Sequence, residues 1–225
     1  MEWQKKSRIM NQLTEEQLKG FASQLSHPTG ENGIRTADQM HVNNIGMIRN
    51  SVKALTLDND DRMLELGHGN GHHIPEIINA YKSIQYTGLE ISELMSSEAE
   101  KLNTKENTSF TLYDGLTIPF EANSFSKIMT VNTLYFWENP SQLLDEIYRV
   151  LKPGGKFACT FAEKDFMEKL PFTKFIFKLY DREQVSTLFN QSHFNTVEFE
   201  EFTEQVWDRE GNPVDRIYTL AILTK

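Results

Sequence analysis

Residues 64–73 read Leu-Glu-Leu-Gly-His-Gly-Asn-Gly-His-His. Three glycines alternate with His68 and Asn70, directly after a short apolar run that carries one acid, Glu65. Glycine admits positive φ and lets a ligand approach the main chain. Three glycines at the start of a helix also cost stability, so a run of this kind calls for a functional reason. The chemistry it suits is close backbone contact with a small molecule. A P-loop needs GxxxxGK[ST], and no Lys, Ser or Thr stands in place here. A dinucleotide fingerprint needs GxGxxG; Gly67 and Gly69 fit, but the third glycine position falls on His72. What remains is an acid-x-Gly-x-Gly-x-Gly run beginning at Glu65, which lacks phosphate grips and suits a ligand without a phosphate.

Other chemistry-bearing residues follow. Glu90 lies roughly 20 residues beyond Gly67, the offset at which an acid accepts hydrogen bonds from a ribose. A lone acid after a strand is ordinarily a solvated loop residue, and its place relative to the glycines sets this one apart. Asp114-Gly115 is a strong turn dipeptide. Asn132, Tyr135 and Trp137 follow another apolar run, and Tyr135 or a histidine is a candidate base, or merely a wall of the pocket. No catalytic residue is assigned. His68, His72 and His73 raise a metal question. Adjacent His72 and His73 would point about 100° apart on a helix, and no cysteine is near, so no metal is expected. His68 is placed in the loop beside the ligand, and His72 or His73 on the helix surface. Cys159 is the single cysteine and sits in an apolar run, as small core residues do.

These residues need elements to position them. The segment 1–55 reads as helical: Thr14 and Gln17 form a capping box for a first helix, 26–33 is dense in Pro, Gly and Asn and reads as a loop, and a second helix is expected over 37–55. From residue 62 strands and helices alternate. Strands are predicted at 62–66, 85–89, 109–113, 126–131 and 156–161, and helices at 71–81, 92–103 and 140–151, with a turn at Pro153-Gly154-Gly155. Such alternation means parallel strands with crossover helices. A helix at 181–190 precedes strands at 196–202 and 217–223. Their link is too short for a crossover helix and holds the turn signal Gly211-Asn212-Pro213, so these two strands are expected to be antiparallel. The fold expected is α/β: a Rossmann-like, doubly wound, seven-stranded sheet, mostly parallel, ending in an antiparallel hairpin. In such sheets ligands bind beyond the strands' carboxyl ends, where strand order reverses.

The run from Glu65 to Gly71 resembles the first motif of class I S-adenosylmethionine-dependent methyltransferases. Three later features occur in that family's order: Glu90 in YTGLEIS, the segment 113–140 beginning Tyr-Asp-Gly, and EIYRVLKPGGKF at 146–157. The resemblance covers roughly residues 62–161 and is strongest to the subgroup with the ubiquinone/menaquinone-biosynthesis enzymes (methyltransferase type 11). It implies S-adenosyl-L-methionine as cofactor. It implies a binding set of Glu65, Gly67, His68, Gly69, Asn70, Gly71, Glu90, Ile91, Asp114, Gly115 and Asn132, with Asp114 at the adenine amino group and Gly115 leaving room for the ring. It implies methyl transfer to a small-molecule acceptor. The residues leave open a module that binds the cofactor as a sensor or scaffold and transfers nothing.

The 225 residues, 39% of them hydrophobic, suit one methyltransferase domain at 56–225 with a helical cap at 1–55. A net charge of -9 without a dense Lys/Arg run repels phosphate backbones, so nucleic acid is not expected as a partner. No window is apolar for the length of a membrane span, and no leader pattern is visible. With one cysteine, a reduced, cytoplasmic setting is expected. The stretch 163–180 carries Phe166, Met167, Phe172, Phe175 and Phe177 and is expected either to form a lid over an apolar or aromatic acceptor or to pack as core. Nothing in the sequence fixes the acceptor, the methylated atom or the oligomeric state.

Overall fold

A computed structural model describes residues 13–207 and 213–225. Helix α1 (Glu15–Ser26) begins at the expected capping box: Thr14 accepts from the Gln17 N–H, and the Gln17 side chain accepts from the Thr14 N–H. Helix α2 (Gly30–Leu55) begins inside the segment expected to be loop. Two of its first residues, Gly30 and Gly33, are poor helix formers, but packing overrides propensity here. A Cβ on Gly33 would lie 2.9 Å from the Pro28 carbonyl carbon and 3.2 Å from Leu94, so only glycine lets the chain pass.

The sheet follows as β1 (Arg62–Leu66), β2 (Gln85–Glu90), β3 (Thr108–Leu112), β4 (Phe125–Val131), β5 (Leu151–Ala162), β6 (Thr196–Trp207) and β7 (Pro213–Thr224). Its strand order is β3-β2-β1-β4-β5-β7-β6. The pairs among the first five strands are parallel, and β7 runs antiparallel to both β5 and β6. The crossovers are α3 (Ile74–Ala80), α4 (Glu93–Leu102) and α5 (Pro140–Val150); a short α6 (Lys164–Met167) and α7 (Arg182–Asn190) follow β5. The fold class expected from the sequence is the one observed. Order reverses between β1 and β4, which places their carboxyl ends at the switch point.

Several boundaries differ. Strand β5 begins at Leu151, so the expected turn at Pro153-Gly154-Gly155 lies inside the strand, where Gly154 takes a φ of 76°. Helix α3 starts at Ile74 and not at Gly71, because residues 68–74 turn back on themselves: the Gly71 N–H donates to His68 O and the Ile74 N–H to Gly71 O. Pro75 in the first turn then suits a helix starting there. His72 and His73 therefore precede the helix. The last two strands run well past their expected ends, pairing as far as Trp207 with Pro213. Of the turn signal, Gly211 and Asn212 lie outside the described residues.

The central strands are buried on both faces, as parallel sheets require. Met63, Leu64, Leu66, Ile128, Phe157 and Phe161 are at or near zero exposure. Cys159 sits among them, and burial pushes its thiol pKa far above the ordinary range, so it is core and no nucleophile. Helix α2 packs along the sheet and is tied to its strands: Ser51 to Thr160 (2.6 Å), Asn50 to the Tyr218 hydroxyl (2.6 Å), and Asn43 O to the Arg216 guanidinium (2.5 Å). Gly46 lets the hairpin approach, since a Cβ there would meet the Glu204 carboxylate at 2.6 Å.

Candidate functional site

The chain leaves β1 and turns through Gly67, Gly69 and Gly71 at φ of 75°, 58° and 69°. The three glycines serve different purposes. A Cβ on Gly67 would strike Thr133 at 2.5 Å, and one on Gly71 would strike Ala99, Asn103 and Ile74 at 2.9 Å. Those two are bare so that protein can pack. A Cβ on Gly69 would meet nothing within 4 Å. Its left-handed backbone faces open space, which is the condition for a ligand to lie against the main chain.

Glu90 ends β2 and is 6% exposed. Its Oε2 accepts from the Gly69 N–H at 3.0 Å, and its Oε1 from the N–H groups of Ile91 (2.8 Å) and Ser92 (3.1 Å). A carboxylate offers about four acceptor sites, so one on Oε2 stays free for a ligand hydroxyl. The same carboxylate fastens the glycine loop to β2, a role the sequence does not advertise. The Gly67 N–H reinforces this by donating to Leu89 O at 2.8 Å.

Beyond β2, Ile91 is 38% exposed and faces Gly115, where a Cβ would sit 3.5 Å from the Ile91 side chain. Asp114 accepts the N–H groups of Leu116 (2.8 Å) and Thr117 (2.7 Å) on Oδ1. Those backbone bonds, Thr117 first, hold its pKa below the usual carboxylate range. Gly69, Glu90, Ile91, Asp114 and Gly115 thus gather along the ends of β1, β2 and β3.

The remaining expected residues are placed differently. Glu65 is 2% exposed; its Oε2 accepts from the Tyr86 hydroxyl (2.5 Å) and from His73 Nε2 (2.8 Å). Burial pushes the Glu65 pKa up, but His73 and Tyr86 together outweigh it and leave the carboxyl below its ordinary value. Glu65 is bonded inward, and His73, 5% exposed, is its partner and not helix surface. His68 is 4% exposed, with its ring against Phe110 and directly over Gly88, where a Cβ would stand 2.4 Å from the ring. Burial drives its pKa down, and its Nδ1 lies 2.8 Å from Gly69 O, so the neutral ring carries its proton on Nδ1. His68 props the loop from behind. Asn70 donates to Asp38 Oδ1 of α2 at 2.9 Å.

Asn132, at φ 57°, spends its side chain on protein: Nδ2 donates to Asn44 Oδ1 (3.0 Å), and Oδ1 accepts from the Ala162 N–H (3.1 Å). The Tyr135 hydroxyl lies within bonding distance of Asn132 Oδ1 and Ala162 O, and burial raises its pKa far above the ordinary value. Tyr135 is therefore a wall and not a base. Trp137 donates from Nε1 to Thr133 Oγ1 at 3.0 Å. Tyr135 and Trp137, with Ile91, Phe136, Ile176 and His27, edge an open cleft of about 340 Å³ that Asn132 does not line.

The sequence offers the N-terminal stretch around Met40, His41 and Asn43 as one cover of the site, but not the bonds by which the cap holds it. Asp38 reaches the glycine loop, Asn44 reaches Asn132, and Pro28 O accepts from Ser92 Oγ (2.7 Å), two residues beyond Glu90. The only visible signal was two glycines, Gly33 and Gly46, inside one helix. Among the described residues no group of three or more His, Cys, Asp or Glu side chains is arranged to hold a metal ion, and no helix can cross a membrane.

Residues 64–159 match the family described as methyltransferase domain. An uncharacterized methyltransferase of Bacillus subtilis, YdaC, is 27% identical over 131 residues, covering 58% of this chain and 67% of that one. The ubiquinone/menaquinone biosynthesis C-methyltransferase UbiE of Desulfotalea psychrophila is 31% identical over 120 residues, covering 52% of this chain. The match covers about half of that enzyme, 48% of its length. Among solved structures, Haemonchus contortus phosphoethanolamine N-methyltransferase 2 in complex with S-adenosyl-L-methionine superposes with a TM-score of 0.71 at 17% identity, covering 92% of this chain and 60% of that one. That likeness is one of fold. With its glycine loop, strand order and domain match, the chain carries over residues 64–159 a domain similar to the class I S-adenosylmethionine-dependent methyltransferases of the type 11 subgroup.

Proposed function

We propose that this chain binds S-adenosyl-L-methionine along Gly69, Glu90, Ile91, Asp114 and Gly115 and transfers its methyl group to a small-molecule acceptor seated in the adjoining cleft. The observation that carries the reading is Gly69: left-handed, open in front, and bonded through its N–H to Glu90. When bound, the cofactor supplies an electrophilic methyl on a sulfonium, which leaves as a neutral thioether as the acceptor's lone pair forms the new bond.

The chain's own part is orientation and exclusion of water. The free acceptor site on Glu90 Oε2 takes a sugar hydroxyl. Ile91 and Gly115 leave a flat slot for a base, and Asp114 offers Oδ2 to its amino group. Gly67, His68, Asn70, Gly71, Glu65 and Asn132 hold the frame: they pack, prop or tie the loops and do not face the ligand. Phe136 and Trp137 give the cleft an aromatic side for an apolar or aromatic acceptor. Holding two reactants in line can supply about 7–11 kcal/mol of a barrier. The acceptor's proton leaves to solvent or to a group on the acceptor itself, since Tyr135 is committed to Ala162 and Asn132. The overall acidity makes nucleic acid a poor acceptor, and a lone buried thiol suits a cytoplasmic setting.

The absence of a base at Tyr135 also favours a second reading, a cofactor-binding module that transfers nothing. Incubation with methyl-labelled cofactor and a metabolite extract separates the two. Labelled small-molecule product is the expected result; tight cofactor binding with no product would establish the module. Calorimetry against NAD should give no heat, because His72 stands where the third fingerprint glycine belongs.

A further inference from the structure

Among the described residues four buried side-chain atoms have no hydrogen-bond partner, and two of them lie behind the glycine loop: His68 Nε2 and Asn103 Oδ1. An unpartnered buried polar atom is costly and calls for an explanation. The other polar atom of each side chain supplies one. His68 Nδ1–H donates to Gly69 O at 2.8 Å. Asn103 caps the C-terminus of α4 and is 1% exposed; its Nδ2 donates to Gly71 O at 3.1 Å and to Ala99 O at 2.9 Å. Turning that amide over would set Oδ1 against two carbonyl oxygens, so its orientation is fixed. An apolar side chain in either place would leave no polar atom unpartnered, but it would hold no carbonyl.

These bonds complete a set. The Gly69 N–H is held by Glu90 Oε2, and the Gly71 N–H by His68 O at 3.2 Å. With both carbonyls held as well, every peptide plane from residue 68 to residue 72 is pinned by a partner. Glycine left free spreads over both signs of φ. A ligand that meets a loose loop must also supply the free energy of ordering it. Here the ordering is done by the protein. The sheet makes room for it, since Gly88 is bare where the His68 ring lies.

We propose that His68 and Asn103 are positioning residues that hold the glycine loop in its cofactor-ready shape before the cofactor arrives, each keeping an unpartnered atom in exchange for an inward grip on a loop carbonyl. This deepens the cofactor-binding reading and rests on it. Neither side chain meets the ligand; they act through Gly69 and Gly71. Asn103 stands 32 residues beyond Gly71, outside the glycine motif, and reaches the loop only because α4 ends beside it.

Two measurements on the full chain test this: amide hydrogen exchange without ligand, and calorimetry with S-adenosylhomocysteine. In the free wild type the Gly69 and Gly71 amides should exchange at least about a hundredfold more slowly than in an unstructured peptide. His68→Leu and Asn103→Leu each remove one neutral hydrogen bond and should weaken S-adenosylhomocysteine binding about fivefold. Both should speed exchange at Gly69 and Gly71 and leave the amides of β4 and β5 unchanged. His68→Asn carries an N–H donor the same number of bonds from the main chain as Nδ1, and should bind within about twofold of wild type. A side chain that only fills space would not distinguish Asn from Leu. Wild-type affinity in a folded His68→Leu chain, or no gain of His68→Asn over His68→Leu, overturns the inference. Loop amides that exchange at the unstructured rate in the free wild type overturn it too, whether or not the variants fold. Failure of the wild type to bind S-adenosylhomocysteine would instead sink the cofactor reading, and exchange in the free chain would still show whether the loop is pinned.

Discussion

At the residue scale, the three glycines separate packing from ligand approach. Gly67→Ala forces a Cβ into Thr133 as well as a left-handed backbone that costs roughly 1–2 kcal/mol. Gly69→Ala meets only the backbone cost. Urea unfolding should therefore show Gly67→Ala several kcal/mol less stable and Gly69→Ala only about 1–2; Gly69→Ala should nevertheless lose cofactor affinity. Equal stability losses would mean that Gly69 is a packing glycine too. The buried titratable groups give a second expectation. The folded pKa of His68 lies below its unfolded value because burial opposes its charge. The unfolded chain then binds the extra proton, so stability is full above the unfolded pKa of about 6.5 and falls as pH drops through it. Glu65, whose folded pKa is also lowered, adds a loss in the acid range below about 4.3. His68→Gln should flatten the first decline and Glu65→Gln the second, measured by unfolding midpoints across pH. A slope between pH 7 and 5 unchanged in His68→Gln would contradict the buried neutral ring. Neither the inward bonding of Glu65 nor the partnership of His73 was legible in sequence, since both depend on Tyr86 arriving from the next strand.

At the element scale, the stretch 163–180 packs into two clusters. Its ends, Met167 and Tyr180, belong to the main core, whereas Phe172 packs with Leu18 and Ala22 of α1 in a small separate cluster, its ring 5.0 Å from Phe21 in an edge-on arrangement. We propose that this middle part and α1 together cover the acceptor cleft. Phe172→Ser should raise the acceptor KM while leaving cofactor affinity within about twofold and the sheet folded. Loss of cofactor binding together with folding would make the segment core. The glycine loop, the strand runs from residue 62 and the capping box at Thr14 were readable because each is set by local residues. The start of α2 and the length of the last hairpin were not. Gly30 and Gly33 look like loop until Leu94 is packed on them, and residues 203–206 look like linker until Arg216 pairs with Glu204 across the strands.

At the scale of the whole molecule, the helices before residue 56 are unequal. Helix α2 buries Met47, Ile48 and Leu55 in the main core and reaches the glycine loop through Asp38, whereas α1 contributes to the separate cluster. Removing residues 1–29 should leave a folded sheet that still binds cofactor; removing 1–55 should leave aggregating or unfolded protein, as circular dichroism and gel filtration would show. A folded 56–225 fragment would make α2 an accessory. The sheet order and the site at its reversal were legible as a whole because parallel strands with a glycine-rich first turn admit few arrangements. The cap's bonds to the site were hidden, since Asp38 and Asn44 meet partners that arrive from other elements.

The central claim is that Glu90 both fastens the glycine loop and receives the cofactor's sugar. Calorimetric titration of S-adenosyl-L-methionine into wild type and Glu90→Ala, with the fold of each verified by circular dichroism, tests it most directly. Loss of charged hydrogen bonds worth about 1.5–3 kcal/mol each should weaken binding at least tenfold. Undiminished affinity in a folded Glu90→Ala protein would contradict it.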